Sequence, residues 1–212
     1  MNDLIETLPV VALRGMTILP GMVIHFDVSR ERSVKAIEQA MLKEQRIFLV
    51  TQKDVQVEQP GPEDLYRIGT IASVKQVIKL PHNVIRVLAE GLEKAELSHF
   101  SQDGEFLEAE VIRFESEDAL ENLDPAYGEA MVRNLSETFH LYCRESGKVG
   151  KELERQITET ADLEKLMKEI MINLPLYYED KQKLLETVTL SDRYELLCAQ
   201  MNKEIEVLRF KR

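Results

Sequence analysis

The stretch that most constrains the fold is LPVVALRGMTILPGMVIH, at residues 8–25, in which two breaks separate three short apolar pieces. The first piece ends at Arg14-Gly15 and the second ends at Pro20-Gly21. Proline fixes its φ angle and glycine accepts a positive φ, so a Pro-Gly pair reverses a chain at low cost. Apolar pieces this short and this close together predict the first strands of a sheet that closes on itself.

Alternation of apolar and polar residues predicts more antiparallel strands up to about residue 114. A helix after Ser29 and a short apolar strand at Arg46–Thr51 interrupt this pattern. Gly91 lies in the middle of one predicted strand, where a β-bulge would bend it. We therefore predict five or six strands and one helix, arranged as a small twisted barrel or half-barrel. In the strand from Arg67 to Leu80, with Gln76 as an exception, the residues predicted to share one face are Ile68, Thr70, Ala72, Val74, Ile78 and Leu80.

The pattern changes near residue 116, after which helical periodicity replaces alternation. Asp124-Pro125 is typical of a helix start, with an N-cap followed by proline at the first helical position. The last predicted helix, at about 190–212, carries apolar residues at four-three-four-three spacing, which is typical of a heptad seam. We predict an α+β chain with a β-rich domain at 1–116 and an α-helical domain at 117–212 that ends in this long helix. The predicted seam residues are Tyr194, Cys198, Met201, Ile205 and Leu208.

Composition and charge exclude several classes of protein. The net charge of -11 disfavours a nucleic-acid partner, because phosphate backbones are repelled at long range. Asp3 and Glu6 occupy the region where a secretory signal needs basic residues, and no apolar run approaches the ~20 residues that span a bilayer. Cys143 and Cys198 are far apart, without CxxC spacing, as expected for reduced thiols. We therefore expect a cytoplasmic protein without a membrane segment.

Motifs for catalysis and for cofactors are absent from the sequence. There is no GxxxxGK[ST] phosphate loop, no GxSxG elbow and no HExxH zinc motif. The four histidines fall on different predicted elements, so they predict no metal site. We predict no catalytic, metal-binding or cofactor-binding residue in this chain.

Several separated blocks resemble the N-terminal domain of the ATP-dependent Lon protease family, in the same order and over essentially the whole chain. They are residues 8–25, QKDVQVEQPGPEDLYRIGTIASVKQVIKLP at Gln52–Pro81, VLAEGLEKAEL at Val87–Leu97, and INLPLYYEDKQKLLE in the helical part. The resemblance implies that the β-rich lobe is a small barrel of PUA-like type. It also implies that the helical lobe ends in mid-protein, with further domains after it.

The resemblance implies a function in protein quality control. In the Lon family, an ATPase domain and a serine–lysine peptidase domain follow this domain, so the chain is not expected to be an enzyme by itself. ATP and magnesium are expected only for the ATPase domain. The implied role is recognition of substrate proteins that are unfolded or carry a degron, together with assembly of a homo-oligomeric ring.

Two apolar turns are candidate substrate-binding sites, and each has a structural alternative. A flexible, methionine-containing surface suits the capture of unfolded polypeptide. For the first turn we favour the alternative that Ile18, Leu19 and Val23 fill the barrel core. For the second turn we favour a solvated hairpin tip. The candidates are Met16, Ile18, Leu19, Pro20 and Met22 in the first turn, and Leu80, Pro81 and His82 in the second.

Two further alternatives stay open. The seam of the last helix can pack inside one chain or pair between two chains, and the sequence favours neither. A rival function is a stand-alone β-barrel module that binds RNA or a small ligand. It would use the basic strand face with Arg67, Lys75 and Lys79, for which a solvated face is the simpler explanation.

Overall fold

The computed structural model describes residues 3–114 and 123–211. Six strands and one helix come first, and five helices follow. The strands are β1 (Ile5–Leu13), β2 (Val23–Val28), β3 (Arg46–Thr51), β4 (Ile68–Leu80), β5 (Val84–Asp103) and β6 (Leu107–Arg113). The helices are α1 (Glu31–Met41), α2 (Pro125–Ser146), α3 (Lys151–Thr158), α4 (Leu163–Asn173), α5 (Tyr178–Glu186) and α6 (Leu190–Phe210). The chain forms two compact units, one of Met1–Glu115 with Tyr177–Leu185 and one of Ser116–Leu176 with Glu186–Arg212.

The strands form one mixed sheet that closes on itself. Their order is β2-β5-β4-β3-β1-β6, and β6 also pairs with β5, so five strands make a ring and β2 extends it from β5. β1 and β3 are parallel, while the other paired strands are antiparallel. α1 contacts β1, β3 and β6. The α+β fold class, with a barrel-like first lobe, is confirmed.

β5 is the strand that closes the ring, and it bends where glycine allows a close approach. The register with β4 shifts between Ile71 and Ala72, whose partners are Glu93 and Gly91, so one residue of β5 is extra at this point. A Cβ at Gly91 would lie 2.5 Å from the carbonyl oxygen of Leu19. The Gly91 oxygen also accepts a 2.8 Å hydrogen bond from the Gly21 amide. The predicted bulge near Gly91 is therefore confirmed, and it holds the Pro20-Gly21 turn against the barrel.

A second register shift corrects the predicted face of β4. It lies between Val74 and Gln76, so Lys75 is the extra residue and the alternation reverses after it. Val77 packs against the core, while Ile78 is 43% exposed. The prediction that Ile78 and Leu80 continue the apolar face of Val74 is wrong, because a bulge changes the phase of every residue that follows it.

A buried polar network joins α5 to the barrel. The Gln182 side chain is 1% exposed, and its amide nitrogen donates a 2.9 Å hydrogen bond to the Ile68 carbonyl oxygen. The Thr17 hydroxyl lies 2.8 Å from the Thr51 hydroxyl and 3.2 Å from the Tyr178 carbonyl oxygen. These bonds satisfy polar groups that would be costly to bury unpaired. They explain why α5 belongs to the first compact unit.

The helices of the second unit pack around α2, which contacts α3, α4 and α6. α2 begins at its predicted N-cap, since the Asp124 side chain accepts a hydrogen bond from the Ala126 amide. It ends at Gly147, whose φ of 66° is a left-handed conformation that glycine adopts readily. Apolar residues from three helices fill the core of this unit. They include Leu135 and Phe139 of α2, Leu166 and Ile170 of α4, and Leu197, Met201 and Ile205 of α6.

The compact units differ from the two predicted domains in one respect. The predicted helical domain covers all of 117–212, whereas Tyr177–Leu185 clusters with the barrel. The buried contacts of Gln182 are polar, so the apolar periodicity of the helix does not reveal them. The predicted boundary at residues 116–117 lies outside the described residues, and it stays a prediction.

The close approach of Gly91 to the Leu19 carbonyl predicts how a single methyl group added at Gly91 changes the stability of the barrel. Gly91→Ala should lower the free energy of unfolding by about 1–3 kcal/mol, because a backbone carbonyl has to move to admit the Cβ. Urea unfolding followed by circular dichroism measures this. Gly128→Ala is the control, since its Cβ would meet only the Leu123 side chain at 3.3 Å and alanine favours the helix. Equal stability of the two variants would contradict this explanation.

The polar network predicts a second loss of stability. Gln182→Leu keeps the approximate volume of the side chain but leaves the Ile68 carbonyl oxygen buried without a donor. The free energy of unfolding should fall by about 1–3 kcal/mol. Gln156→Leu, on the exposed surface of α3, should change it by less than about 0.5 kcal/mol in the same urea titration. A Gln182→Leu variant as stable as the parent chain would show that the network does not hold α5.

Candidate functional site

The main candidate surface is the outward side of the three strands β2, β5 and β4, which we call the outer sheet face. Residues that pair directly across neighbouring strands project to the same side of a sheet. The pairing therefore fixes which residues share this side. They are Val23, His25 and Asp27 of β2, Glu90, Leu88, Arg86 and Val84 of β5, and Ser73, Gln76, Ile78 and Leu80 of β4.

Two large apolar side chains are exposed on the outer sheet face. Val23 is 65% exposed and Ile78 is 43% exposed, while Leu88, Leu80 and Val84 are half-buried. On an antiparallel sheet that covers a core, the outward side is usually polar. Groups of exposed apolar residues mark surfaces that bind other molecules. The outer sheet face therefore has the character of a docking surface.

Two ion pairs lie among these apolar side chains. The Arg86 guanidinium donates to both carboxylate oxygens of Asp27, with N–O distances of 2.8 and 3.1 Å. This hydrogen bond lowers the pKa of the Asp27 carboxyl and raises the pKa of Arg86. The Lys75 ammonium lies 3.3 Å from a Glu90 carboxylate oxygen. The charges on this face therefore largely neutralise each other, so a partner would bind mainly through apolar contacts.

The second feature of this region is the free edge of β2, which we call the unpaired edge. β2 pairs with β5 along its other edge only. Among the described residues, no strand lies on the unpaired edge. From Val23 to Val28, the described part of the chain supplies no backbone hydrogen bond beyond the ladder to β5. An unpaired strand edge presents N–H and C=O groups to which another extended chain can add. The unpaired edge is thus continuous with the outer sheet face.

The first predicted turn is built into the barrel. Ile18 and Leu19 are 2% and 1% exposed, and Met16, Pro20 and Met22 are half-buried. The Thr70 hydroxyl donates a 2.6 Å hydrogen bond to the Ile18 carbonyl oxygen, and the Thr51 hydroxyl donates to the Met16 carbonyl oxygen at 2.8 Å. This arrangement favours the alternative of core packing for Ile18 and Leu19, but Val23 points outward.

The second predicted turn joins β4 to β5. Pro81 and His82 are exposed, while Leu80 is half-buried on the outer sheet face. His82 and Asn83 have φ angles of 66° and 60°, the left-handed values of a tight hairpin. This turn therefore lies at the end of the outer sheet face, and the structure brings it together with Ile78 rather than with Met16.

The predicted seam on α6 faces its own unit. Met201 and Ile205 are 0% and 3% exposed, and Tyr194, Cys198 and Leu208 are half-buried. The Tyr194 hydroxyl accepts a 2.7 Å hydrogen bond from the Asn134 side chain of α2. For Met201 and Ile205, this burial favours the intramolecular alternative.

The described residues contain no group of three or more His, Cys, Asp or Glu side chains placed to hold a metal ion. Burial raises the pKa of the Cys143 thiol to about 12 and also raises the pKa of Cys198. Both thiols are therefore protonated and poor nucleophiles at neutral pH. Across the residues that the structure describes, every helix is too short or too polar to cross a membrane.

The predicted basic strand face of the rival hypothesis is wrong as a single face, because the bulge at Lys75 puts Lys79, which pairs with Ile85, on the opposite side of β4 from Ser73. Lys75 pairs with Glu90, as described above, and Arg67 lies 4.0 Å from Glu96 and donates to the Leu97 carbonyl oxygen. Arg67 and Lys75 therefore have partners, and the exposed Lys79 lies apart from them, so these residues do not form one basic surface for a phosphate backbone.

Sequence reasoning missed Val23, Ile78 and Leu88 as surface residues. For Val23 a signal was available, because the polar residues His25 and Asp27 share its parity along the strand. For Ile78 the signal was the Gln76 exception, which marks the phase change after Lys75. Leu88 is opposite His25 and Gln76, so only the strand pairing reveals its position.

Comparisons with known proteins agree with this fold. Residues 7–203 match the family described as "ATP-dependent protease La (LON) substrate-binding domain". The chain is 47% identical over its full length to the Lon protease of Lachnoclostridium phytofermentans and 33% identical to Lon protease 1 of Bacillus subtilis. It spans 26% and 27% of the length of these two relatives.

Two solved structures share the fold. The N-terminal domain of a Mycobacterium avium complex Lon protease aligns with a TM-score of 0.70 at 18% identity, covering 93% of this chain and 98% of the other. A Lon N-terminal domain protein from Xanthomonas campestris aligns with a TM-score of 0.61 at 17% identity, covering 92% and 98%. The matched family is a substrate-binding domain, in agreement with the prediction that this chain is not an enzyme by itself. The chain therefore belongs to the substrate-binding domain family of the ATP-dependent protease La (Lon).

Proposed function

We propose that the chain recognises protein substrates by binding exposed apolar segments of unfolded or degron-bearing polypeptides on the outer sheet face. The observation that carries this proposal is the exposure of Val23 and Ile78, at 65% and 43%, on the solvent side of a well-packed sheet. The unpaired edge of β2 supports it, since an extended client segment can add its own backbone hydrogen bonds there. Folded proteins bury most of their large apolar side chains and pair most of their extended backbone, so they offer far less of both than an unfolded client.

The expected affinity of one isolated chain is low. Burying a side chain of the size of valine or isoleucine contributes about 1.5–3 kcal/mol. Association itself costs about 4–15 kcal/mol in lost freedom of motion, so a face with a few such residues binds weakly. Several copies in one assembly would raise the effective affinity through simultaneous contacts with one client. This supports self-association as a part of the function.

We extend the proposal to the whole protein in which such a domain acts. There the domain selects clients for ATP-dependent proteolysis in the cytoplasm, within a homo-oligomer. ATP and magnesium act in an ATPase domain, and this chain contributes no cofactor ligand. The rival function, a stand-alone module for RNA or a small ligand, gains no support from the family match, and the bulge at Lys75 divides the basic residues that it would use.

The client-binding proposal predicts a loss of affinity when the outer sheet face becomes polar. The double variant Val23→Thr and Ile78→Thr keeps β-branched residues, so the strands stay favourable. Its dissociation constant for a reduced and alkylated, permanently unfolded protein should rise about tenfold, because the methyl groups that it lacks no longer gain from burial. Fluorescence anisotropy of the labelled client measures this change.

Val188→Thr is the matched control, since Val188 is 66% exposed and lies in the second compact unit. It should bind the unfolded client like the parent chain. The same client in its native, disulfide-bonded form should not bind measurably. Equal binding of both client forms, or unchanged affinity of the double variant, would contradict the proposal.

The burial of the α6 seam yields a prediction on assembly. Met201→Glu should destabilise the helical unit by about 3 kcal/mol or more, because it places an unpaired charge in a core position. Thermal unfolding measures this, and Glu206→Gln on the exposed side of α6 is the control. If Met201→Glu instead keeps its stability and converts an oligomer to a monomer in sedimentation, the seam is an interface between chains.

A further inference from the structure

A cleft of about 480 Å³ lies in the barrel unit between the start of α1 and the loop that follows β3. Arg14 and Arg30 line it on one side, and Val10, Leu107 and Pro60 are among its apolar lining. None of its lining residues belongs to the outer sheet face. Client capture and this cleft are therefore separate features of the molecule.

The loop 52–57 holds both arginines in place. An Arg30 guanidinium nitrogen donates a 2.6 Å hydrogen bond to the side-chain oxygen of Gln52. Gln52 is 0% exposed, and its own nitrogen donates to the carbonyl oxygens of Asp54 and Val57 at 2.7 and 2.8 Å. Arg14 donates to the same Val57 oxygen at 3.2 Å. Two guanidinium groups thus share one anchoring point, which fixes their positions before any ligand arrives.

These two arginines lack an acidic partner among the described residues. Nη1 of Arg30 is buried and has no hydrogen-bond partner. Burial and the neighbouring charge of Arg14 lower the pKa of Arg30, as expected for cations that no carboxylate separates. A buried guanidinium donor left unpaired is costly. An anion between the two groups would remove this cost.

Three other charged residues line the cleft, namely Glu31, Arg32 and Glu58. Arg32 forms an ion pair with Asp103, and the Glu31 carboxylate lies 3.3 Å from the Lys35 ammonium. Glu58 is exposed. The positive charge available to a ligand therefore comes from Arg14 and Arg30.

The start of α1 adds to this positive potential. Arg30 is its N-cap residue and forms no side-chain capping bond, so the first-turn amides next to the cleft keep their donors. Helix N-termini attract phosphate groups through these amides and the helix dipole. Paired guanidinium groups bind phosphate oxygens with directed hydrogen bonds. A phosphate monoester carries nearly two negative charges at neutral pH, which balances the charge of two arginines that have no acidic partner among the described residues.

The size of the cleft indicates that a phosphate group is only a part of the ligand. A volume of about 480 Å³ is in the range of small-molecule sites and far exceeds a single phosphate ion. Val10 and Leu107 are only 2% and 4% exposed, so the ligand contacts come mainly from the polar lining of the cleft. We propose that this cleft binds a small phosphate monoester, with its phosphate between Arg14 and Arg30 and its organic group in the remaining volume of the cleft.

Isothermal titration calorimetry on the chain tests this assignment with three probes: phenyl phosphate, inorganic phosphate and acetate. Phenyl phosphate should bind more tightly than inorganic phosphate, and acetate should bind least. Arg14→Gln should weaken phenyl phosphate binding about tenfold, because it removes a charge-assisted contact. Arg133→Gln, an exposed arginine of α2, should leave the affinity unchanged.

An amide chemical-shift map with phenyl phosphate provides the second readout. The largest shifts should fall at residues 29–33 and at Arg14, and the fold should be intact in every variant. Absence of phenyl phosphate binding, unchanged affinity of Arg14→Gln, or shifts confined to other residues would overturn the site. Inorganic phosphate or acetate binding as tightly as phenyl phosphate would overturn the assignment of the ligand as a phosphate monoester.

Discussion

The barrel depends on one constraint: β5 must pair with β2, β4 and β6 within a single strand of 20 residues. A flat strand cannot meet three partners around a closed sheet, so β5 has to bend. The register shift beside Gly91 supplies this bend, and the missing side chain at Gly91 admits the Leu19 carbonyl. One half of β5 then closes the ring with β6, and the other half carries β2. The outer sheet face and the unpaired edge both result from this division.

The proposed recognition of clients depends on a difference in burial between the two sides of the same strands. On the inner side, Val87 and Ala89 are fully buried and contribute to the stability of the barrel. On the outer side, Val23 and Ile78 are exposed to water, and a bound partner would bury them. A surface of a few apolar residues selects client segments because they are exposed, not because they have a particular sequence. Any unfolded apolar segment can cover such a surface. Weak binding at such a face would let a client dissociate readily.

The sequence predicted local structure well wherever a pattern reports directly on burial. The short strand Arg46–Thr51 has the bounds that its pattern predicts, and α2 begins at the predicted N-cap Asp124. The pairing of strands that are distant in sequence was not predicted. The change of phase in β4 after Lys75 shows in the sequence only as the Gln76 exception. The attachment of α5 depends on the buried amide of Gln182, and apolar periodicity cannot report a polar contact. The cleft at Arg14 and Arg30 joins residues from separate segments, which only the folded barrel brings together.

The central claim is that clients bind on the outer sheet face, and site-specific photo-crosslinking tests it most directly. A photoreactive amino acid would be placed at position 23, 78 or 188 in separate chains and irradiated with an unfolded client. The account predicts strong cross-links from positions 23 and 78, which lie on this face, and only background from the equally exposed position 188. Cross-links of equal yield from all three positions, or from position 188 alone, would contradict it.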